Sequence, residues 1–563
     1  MVSYCTDDFN TKELGSFYQP DKTSFKVFAP AYNDLYLVIE DKCYQMDRDG
    51  FCFTYELAGD QEGKHYHFIG DKRMSFTDPF AYAADDNGSI ILDERKFITE
   101  KAAIDAVTDP LIYEVSVRDF SADSSYPGLY KKKFLALSEG GLKYKDQAVG
   151  LDYLQQLGIT HVQLMPVLAF DNDRTDYNWG YNPLAYNYVQ RDYLYQQNDP
   201  YSYVNELRET VNVLHLHGLR VTLDLVFNHV YSQRKNELGK MLDGGLYRYK
   251  ANGAFANGTW CGNEVKSEDP FVRAYILEMC ERYAGLFDID GIRLDLMGIM
   301  DLQTVNMMYE RLSALKPGFM VYGEGWNMGD VLPVEQRAAI VNAEQMENIA
   351  MFNDFFRETI IHYVCGNDSI SKDVKEVLSG DNYYLNYKQS LNYVECHDNY
   401  TFFDRMMYYL PSDPLPVKKK RCLLALALVV TARGIPFIHM GEEFYRSKEG
   451  VHNSYNSGDR INSIKWDKLV ENIDACHYLQ DLIRVRKTHD CFSDPDAQLS
   501  FREQERCLIY RINELMILIN PEEKDYVFRY PAGLRVIFAD KGCCDRTGTS
   551  VKISAFSLVI CET

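Results

Sequence analysis

The stretch FDIDGIRLDLMG, residues 287–298, alternates apolar side chains with Asp and Arg. A strand with that period places Arg293 and Asp295 on one face, two residues apart. An arginine beside a carboxylate keeps the carboxylate ionised, and glycines at both junctions mark a strand whose carboxyl end opens into a site. Other carboxylates lie in or just after apolar runs: Asp224 in VTLDLVFNHV, Glu324 in FMVYGEGW and Asp398 in LNYVECHD. Reactive groups at the ends of several strands are the arrangement of a (β/α)8 TIM barrel, an α/β fold. The pattern predicts an enzyme, with glycosyl chemistry as its leading form.

Composition bounds the rest. A chain of 563 residues exceeds one ordinary core, and two to four domains are expected. A net charge of -22 argues against a nucleic-acid footprint or attraction to an anionic membrane. A neutral partner such as a sugar fits better. The first residues, with Cys5, Asp7 and Asp8, lack the progression of a signal peptide, and the longest apolar run, residues 423–430, is too short to cross a bilayer. The 14 cysteines are scattered, and the adjacent Cys543 and Cys544 read as ordinary thiols. A cytoplasmic location is the expectation.

Working outward from residue 287, three domains are expected. Residues 1–105 form an amino-terminal β-sandwich behind a peripheral lead-in that ends before Ser16. Residues 106–490 form the barrel, with an inserted lobe near 230–266. Residues 491–563 form a carboxyl-terminal antiparallel β-sandwich. Barrel strands are predicted at 111–120, 160–165, 220–226, 287–298, 319–323, 349–352, 392–395 and 435–439. Helices are predicted over 151–157, 203–217, 271–283, 307–315, 423–430 and 478–486. In the tail, 551–560 reads as one strand.

Glycosidic cleavage with retention needs a carboxylate that attacks the sugar carbon and an acid that protonates the leaving oxygen, roughly 5 to 5.5 Å apart. Asp295, oriented by Arg293, is read as the nucleophile and Glu324 as the acid/base. Gly323 and Gly325 are expected to let Glu324 approach a sugar, while Val321 and Trp326 limit its solvation. Asp398 is placed on sugar hydroxyls. The segments DLVFNH (224–229), DGIRLD (290–295), YGEGW (322–326) and VECHD (394–398) together resemble glycoside hydrolase family 13, the α-amylase family. The resemblance implies Asp295 as nucleophile, Glu324 as general acid/base and Asp398 as transition-state stabiliser. It also implies His229 and His397 as sugar ligands, with Asp224 supporting the geometry.

YNWGYNP (177–183) resembles the hallmark of the type I pullulanases, as do IYEVSVRDFS (112–121) and LDLMG (294–298). That resemblance implies hydrolysis of α-1,6 branch linkages in pullulan, glycogen or starch-derived dextrins, with Tyr181 stacked on the sugar. The expected substrate-binding set is Tyr181, Asp224, His229, Arg293, Trp326, His397 and Trp179. Ile292 and Leu294 stand where pullulanases commonly carry phenylalanines. The first domain resembles a family 48 carbohydrate-binding module, which either binds glucan or braces the barrel. Asn228, Asn263 and the acidic loop 171–176 offer oxygen atoms for a structural calcium without EF-hand spacing, and no metal or organic cofactor is required. The expected partner is a branched α-glucan or dextrin. An α-glucan transferase, an α-1,4-acting amylase, a noncatalytic glycogen-binding scaffold and a magnesium phosphotransferase stay open as alternatives.

Overall fold

A computed structural model describes residues 3–172, 175–260, 262–366, 371–380, 384–529, 534–539, 544–546 and 550–562. Cys543, and Asp173 and Arg174 of the acidic loop, lie outside the described residues. Eight parallel strands close a barrel: Ile112–Val115, His161–Leu164, Arg220–Leu225, Gly291–Leu294, Met320–Gly323, Ile349–Phe352, Ser390–Asn392 and Ile435–His439. These strands are short and buried along nearly their whole length, as expected for a parallel sheet wrapped by helices. The helices include Leu151–Leu157, Ser202–Leu216, Pro270–Leu286, Leu302–Leu315, Leu415–Thr431 and Ile473–Lys487. Among the described residues no helix is long and apolar enough to cross a membrane.

Three barrel strands are shorter than their sequences suggest. The first is Ile112–Val115 instead of 111–120, because the chain leaves the sheet into turns after Val115. Before the fourth, the helix Pro270–Leu286 takes Phe287 as its cap: the Phe287 amide donates to Tyr283 and the two rings stack 6.0 Å apart. The strand proper is Gly291–Leu294. The seventh strand is Ser390–Asn392 instead of 392–395. Its pairing ends at Asn392 with Pro436 on one side and at Leu391 with Phe352 on the other, where the sixth strand gives way to a helix capped by Asn353. Residues 393–398 are thereby released into the loop that carries Asp398.

The amino-terminal region holds a four-stranded and a six-stranded antiparallel sheet. In the first, Lys22–Phe28 pairs with Cys52–Ala58, and alternation along Lys22–Phe28 sends Phe25 inward to meet Tyr66, 5.1 Å between rings. The lead-in is not peripheral. Tyr4 donates to Asp269 at 2.8 Å, and Phe9 packs edge-on against both Phe28 and Phe271. Phe28 in turn stacks on Phe271 at 4.4 Å. The lead-in therefore fills the joint between this sheet and the barrel helix.

After the last barrel helix, a five-stranded and a three-stranded antiparallel sheet follow. The run 551–560 is two strands, Ser550–Ile553 and Ser557–Glu562, one in each sheet. The chain turns between them at Phe556, whose φ is +52°, and the Asn520 amide holds the turn by donating to the Ser554 carbonyl at 2.9 Å. The described cysteines with side-chain detail are free thiols.

Candidate active site

The site opens at the carboxyl end of the barrel, where strand ends deliver side chains around a shared arginine. Arg293 lies on the fourth strand, in register with Asp224 on the third and Tyr322 on the fifth. Its guanidinium is fully enclosed and forks three ways. One nitrogen donates to Asp224 at 2.8 and 2.9 Å and to Asp295 at 3.1 Å, while the other lies 2.7 Å from Glu324. One cation thus holds the two carboxylates assigned to the reaction.

Strand ends and turns position them. The Asp295 amide donates to Leu225 on the third strand and the Glu324 amide to Leu294 on the fourth, so each residue leaves its strand at the same level. The chain then bends sharply at Leu296, φ +39°, into a 3-10 turn. A Cβ on Gly298 in that turn would collide with the Trp326 carbonyl, so only glycine fits. A Cβ on Gly323 would stand 2.5 Å from the Leu294 carbonyl. The glycines flanking Glu324 serve this close strand packing instead of sugar approach: at Gly325 the neighbour is the Met351 sulfur.

Asp295 accepts a 2.8 Å hydrogen bond from the Asn228 amide, which also donates to the Asp295 carbonyl at 2.7 Å. Glu324 accepts from the Leu296 amide at 3.0 Å. Burial pushes its pKa up to about 8. The Arg293 cation pulls the other way, and the negative charges of Asp295 and Asp398 add to the rise. Asp398 is half exposed, 3.7 Å from His397.

His397 is held from below by Glu114, which accepts from its ring nitrogen and from its backbone amide, both at 2.8 Å. Burial lowers the imidazole pKa, but Glu114 and Asp398 outweigh burial and bring it to about 9. The ring is a cation at neutral pH. Glu114 is buried beside the Gln163 amide, and Gln163 accepts from the Tyr322 hydroxyl, so a polar chain crosses the barrel interior.

A cleft of about 430 Å³ lies over this floor. Asp295, Glu324, Asp398, His229, His397, Tyr181 and Trp179 all line it. Tyr181 lies stacked beside His397, ring centroids 4.8 Å apart, and its hydroxyl donates to Asp224 at 2.6 Å. Three residues of the expected substrate-binding set are placed elsewhere. Asp224 and Arg293 lie beneath the floor, buried and turned toward each other. Trp326 packs on the barrel cluster around Tyr322 and Phe352 and does not line the cleft. The oxygens offered for calcium are engaged with other partners: that of Asn228 accepts from the His229 ring nitrogen at 2.6 Å, Asn263 accepts from Gln233 and Asp171 pairs with Lys235. Among the described residues no group of three or more His, Cys, Asp or Glu is arranged to hold a metal.

Other contributors escaped the sequence. Glu114 carried a signal, a lone acid inside the apolar run LIYEV that only a buried partner would tolerate. Lys448 carried none, yet it is buried and donates to the carbonyls of His397 and Asn399 at 2.9 and 2.6 Å, fastening the Asp398 loop. Asn178, Asn453, Tyr455 and Trp260 also line the cleft.

Comparison with known proteins agrees with this geometry. The catalytic-domain model of the α-amylases matches residues 148–241. A pullulanase of Bacillus subtilis (strain 168) is 36% identical over 89% of this chain and 76% of its own length. The pullulanase of Anoxybacillus sp. LM18-11, solved with maltotetraose, superposes with a TM-score of 0.95 at 31% identity, over 99% of this chain and 89% of that one. That of Paenibacillus barengoltzii, solved with maltohexaose and α-cyclodextrin, gives 0.93 at 32% identity over 99% and 96%. The chain belongs to glycoside hydrolase family 13, the α-amylase family, and within it to the type I pullulanases, hydrolases that debranch α-glucans at α-1,6 linkages.

Proposed function

We propose that the chain removes branches from glycogen- or starch-derived dextrins in the cytoplasm, with Asp295, Glu324 and Asp398 performing the chemistry. The observation that carries this reading is the Arg293 fork, which binds Asp224, Asp295 and Glu324 at once. Asp295 attacks the anomeric carbon of the branch, and Glu324, protonated through its raised pKa, gives its proton to the departing O6 of the main chain. The covalent glycosyl ester is then hydrolysed by water that Glu324, now ionised, deprotonates. Asp398 and the His397 cation bind the hydroxyls of the distorted ring, and Tyr181 covers its face. The groups for both steps come from the chain itself, so the reaction needs neither a metal nor an organic cofactor. Scattered cysteine usage supports the cytoplasmic placement.

Purified protein incubated with pullulan tests the reading. Maltotriose with equivalent new reducing ends, first released as the α-anomer, is the expected result. Panose or isopanose would mean α-1,4 cleavage instead, and redistribution of branch lengths without new reducing ends would mean transfer.

A further inference from the structure

Trp260 is 87% exposed, yet it lines the cleft that holds Asp295 and Glu324. It sits in the inserted lobe with φ at +57°, a backbone region that bulky side chains rarely adopt. Strain of this kind persists only where the surroundings enforce it, and it gathers at ligand clamps.

Hydrogen bonds and ion pairs hold the turn around it. The Trp260 amide donates to the Asn257 carbonyl at 3.3 Å, and the Thr259 hydroxyl donates to the Gly262 carbonyl at 3.0 Å. Below the turn, Glu264 accepts from the Gly258 amide at 2.6 Å and pairs with Arg248 at 2.8 Å, both charges buried. Arg248 also donates to the Ile299 carbonyl at 3.2 Å, which ties the lobe to the turn after Asp295. On one side the turn abuts the pair His229–Val230, where a Cβ at Gly262 would stand 2.6 Å from the Val230 carbonyl. On the other, Gly258 touches Gly329, and Lys250 pairs with Asp330 at 2.5 Å, on the loop that follows Glu324.

That second contact fixes a direction. Glu324 delivers its proton to the leaving oxygen, so the loop following it flanks the leaving chain. We propose that Trp260 is a stacking platform for a glucose ring of the leaving main chain, a specificity-determining residue that selects a polymer on that side of the bond. A flat apolar indole on a hydrogen-bonded turn suits the C–H face of a pyranose, and with two side-chain torsions it costs little entropy on binding.

This inference rests on the hydrolytic reading above, and two substrates with the same glycone separate the two. Pullulan leaves a glucan chain behind, whereas α-maltotriosyl fluoride leaves only fluoride. Trp260→Ala is expected to raise KM for pullulan roughly 10-fold, so that the pullulan to fluoride ratio of kcat/KM falls by that factor, and Trp260→Phe is expected to recover most of it. An equal loss on both substrates, or a loss on neither, overturns the platform. In an Asp295→Asn background, maltohexaose should shift the tryptophan emission to shorter wavelength, and replacing Trp260 with Phe should remove most of that shift. A shift unchanged by Trp260→Phe overturns it as well. A parent enzyme that turns over the fluoride but leaves pullulan intact would refute the debranching reading, and the emission titration then decides the platform alone.

Discussion

At Glu324 burial and pairing act against each other, and burial wins. The carboxyl has an ordinary value of 4.5 and a folded value of about 8. Such a group contributes its full stability below pH 4.5, and that contribution is lost as pH rises through about 8. Around neutrality the folded protein therefore sacrifices stability to keep an acid protonated, as catalytic sites do. The kcat/KM profile on pullulan should fall on its alkaline limb near pH 8. Glu324→Gln should cut turnover by about 10²- to 10⁴-fold, while its Tm, measured against the parent, improves steadily from pH 5 to pH 8. A Tm difference independent of pH would mean that the carboxyl is not held protonated. The sequence YGEGW shows the acid and its apolar neighbours, but the three-way Arg293 fork that competes with them joins residues far apart in the chain.

The first and eighth strands pair directly, and the helix Ile473–Lys487 adds a second tie across that closure. From it the buried Arg486 donates to the carbonyls of Val430, Ala432 and Gly434, at the end of the helix Leu415–Thr431 and before the eighth strand. It also grips Asp109, just ahead of the first strand, at 2.6 and 2.7 Å. The last strand and the first are pinned to one cation. Arg486→Ala leaves three buried carbonyls and a carboxylate without their donor, and a loss of about 3–5 kcal/mol is expected in chemical denaturation. A loss below about 1 kcal/mol would show that the strand ladders close the barrel unaided. The helix was legible as an amphipathic stretch over 478–486, since periodicity reveals elements. Which buried carbonyls its arginine would reach depends on how the elements meet.

On the scale of the whole molecule, the amino-terminal sheets are joined to the barrel by an aromatic seam. Phe28 is completely buried and stacked on Phe271 of a barrel helix, with Phe9 and Tyr4 closing over both. Further along, Tyr32 donates to the Lys240 carbonyl in the inserted lobe at 2.8 Å. The first domain thus braces the framework from which the cleft lobe projects. Phe28→Ala should cost about 3–5 kcal/mol, and in thermal unfolding the amino-terminal part should separate as an earlier transition. A single transition at the parent Tm would contradict the seam. The sequence left the lead-in as peripheral because a Tyr and a Phe spaced among acids carry no periodic signal.

The sequence by itself determined the barrel and the carboxylates that gather at its mouth, because strand period, helix period and short motifs at strand ends are local properties of the chain. Ile349–Phe352 and Ile435–His439 were bounded to the residue from their apolar runs. Tertiary structure alone decided which motif residues face the cleft. It placed Asp224 and Arg293 beneath the floor and Trp326 against the barrel, and it brought Trp260 from a glycine-rich loop to the cleft. It also ended the seventh strand early, where the neighbouring sixth strand gives way to a helix. These outcomes follow from packing between segments distant in sequence, where burial and pairing are set by neighbours that no local pattern names.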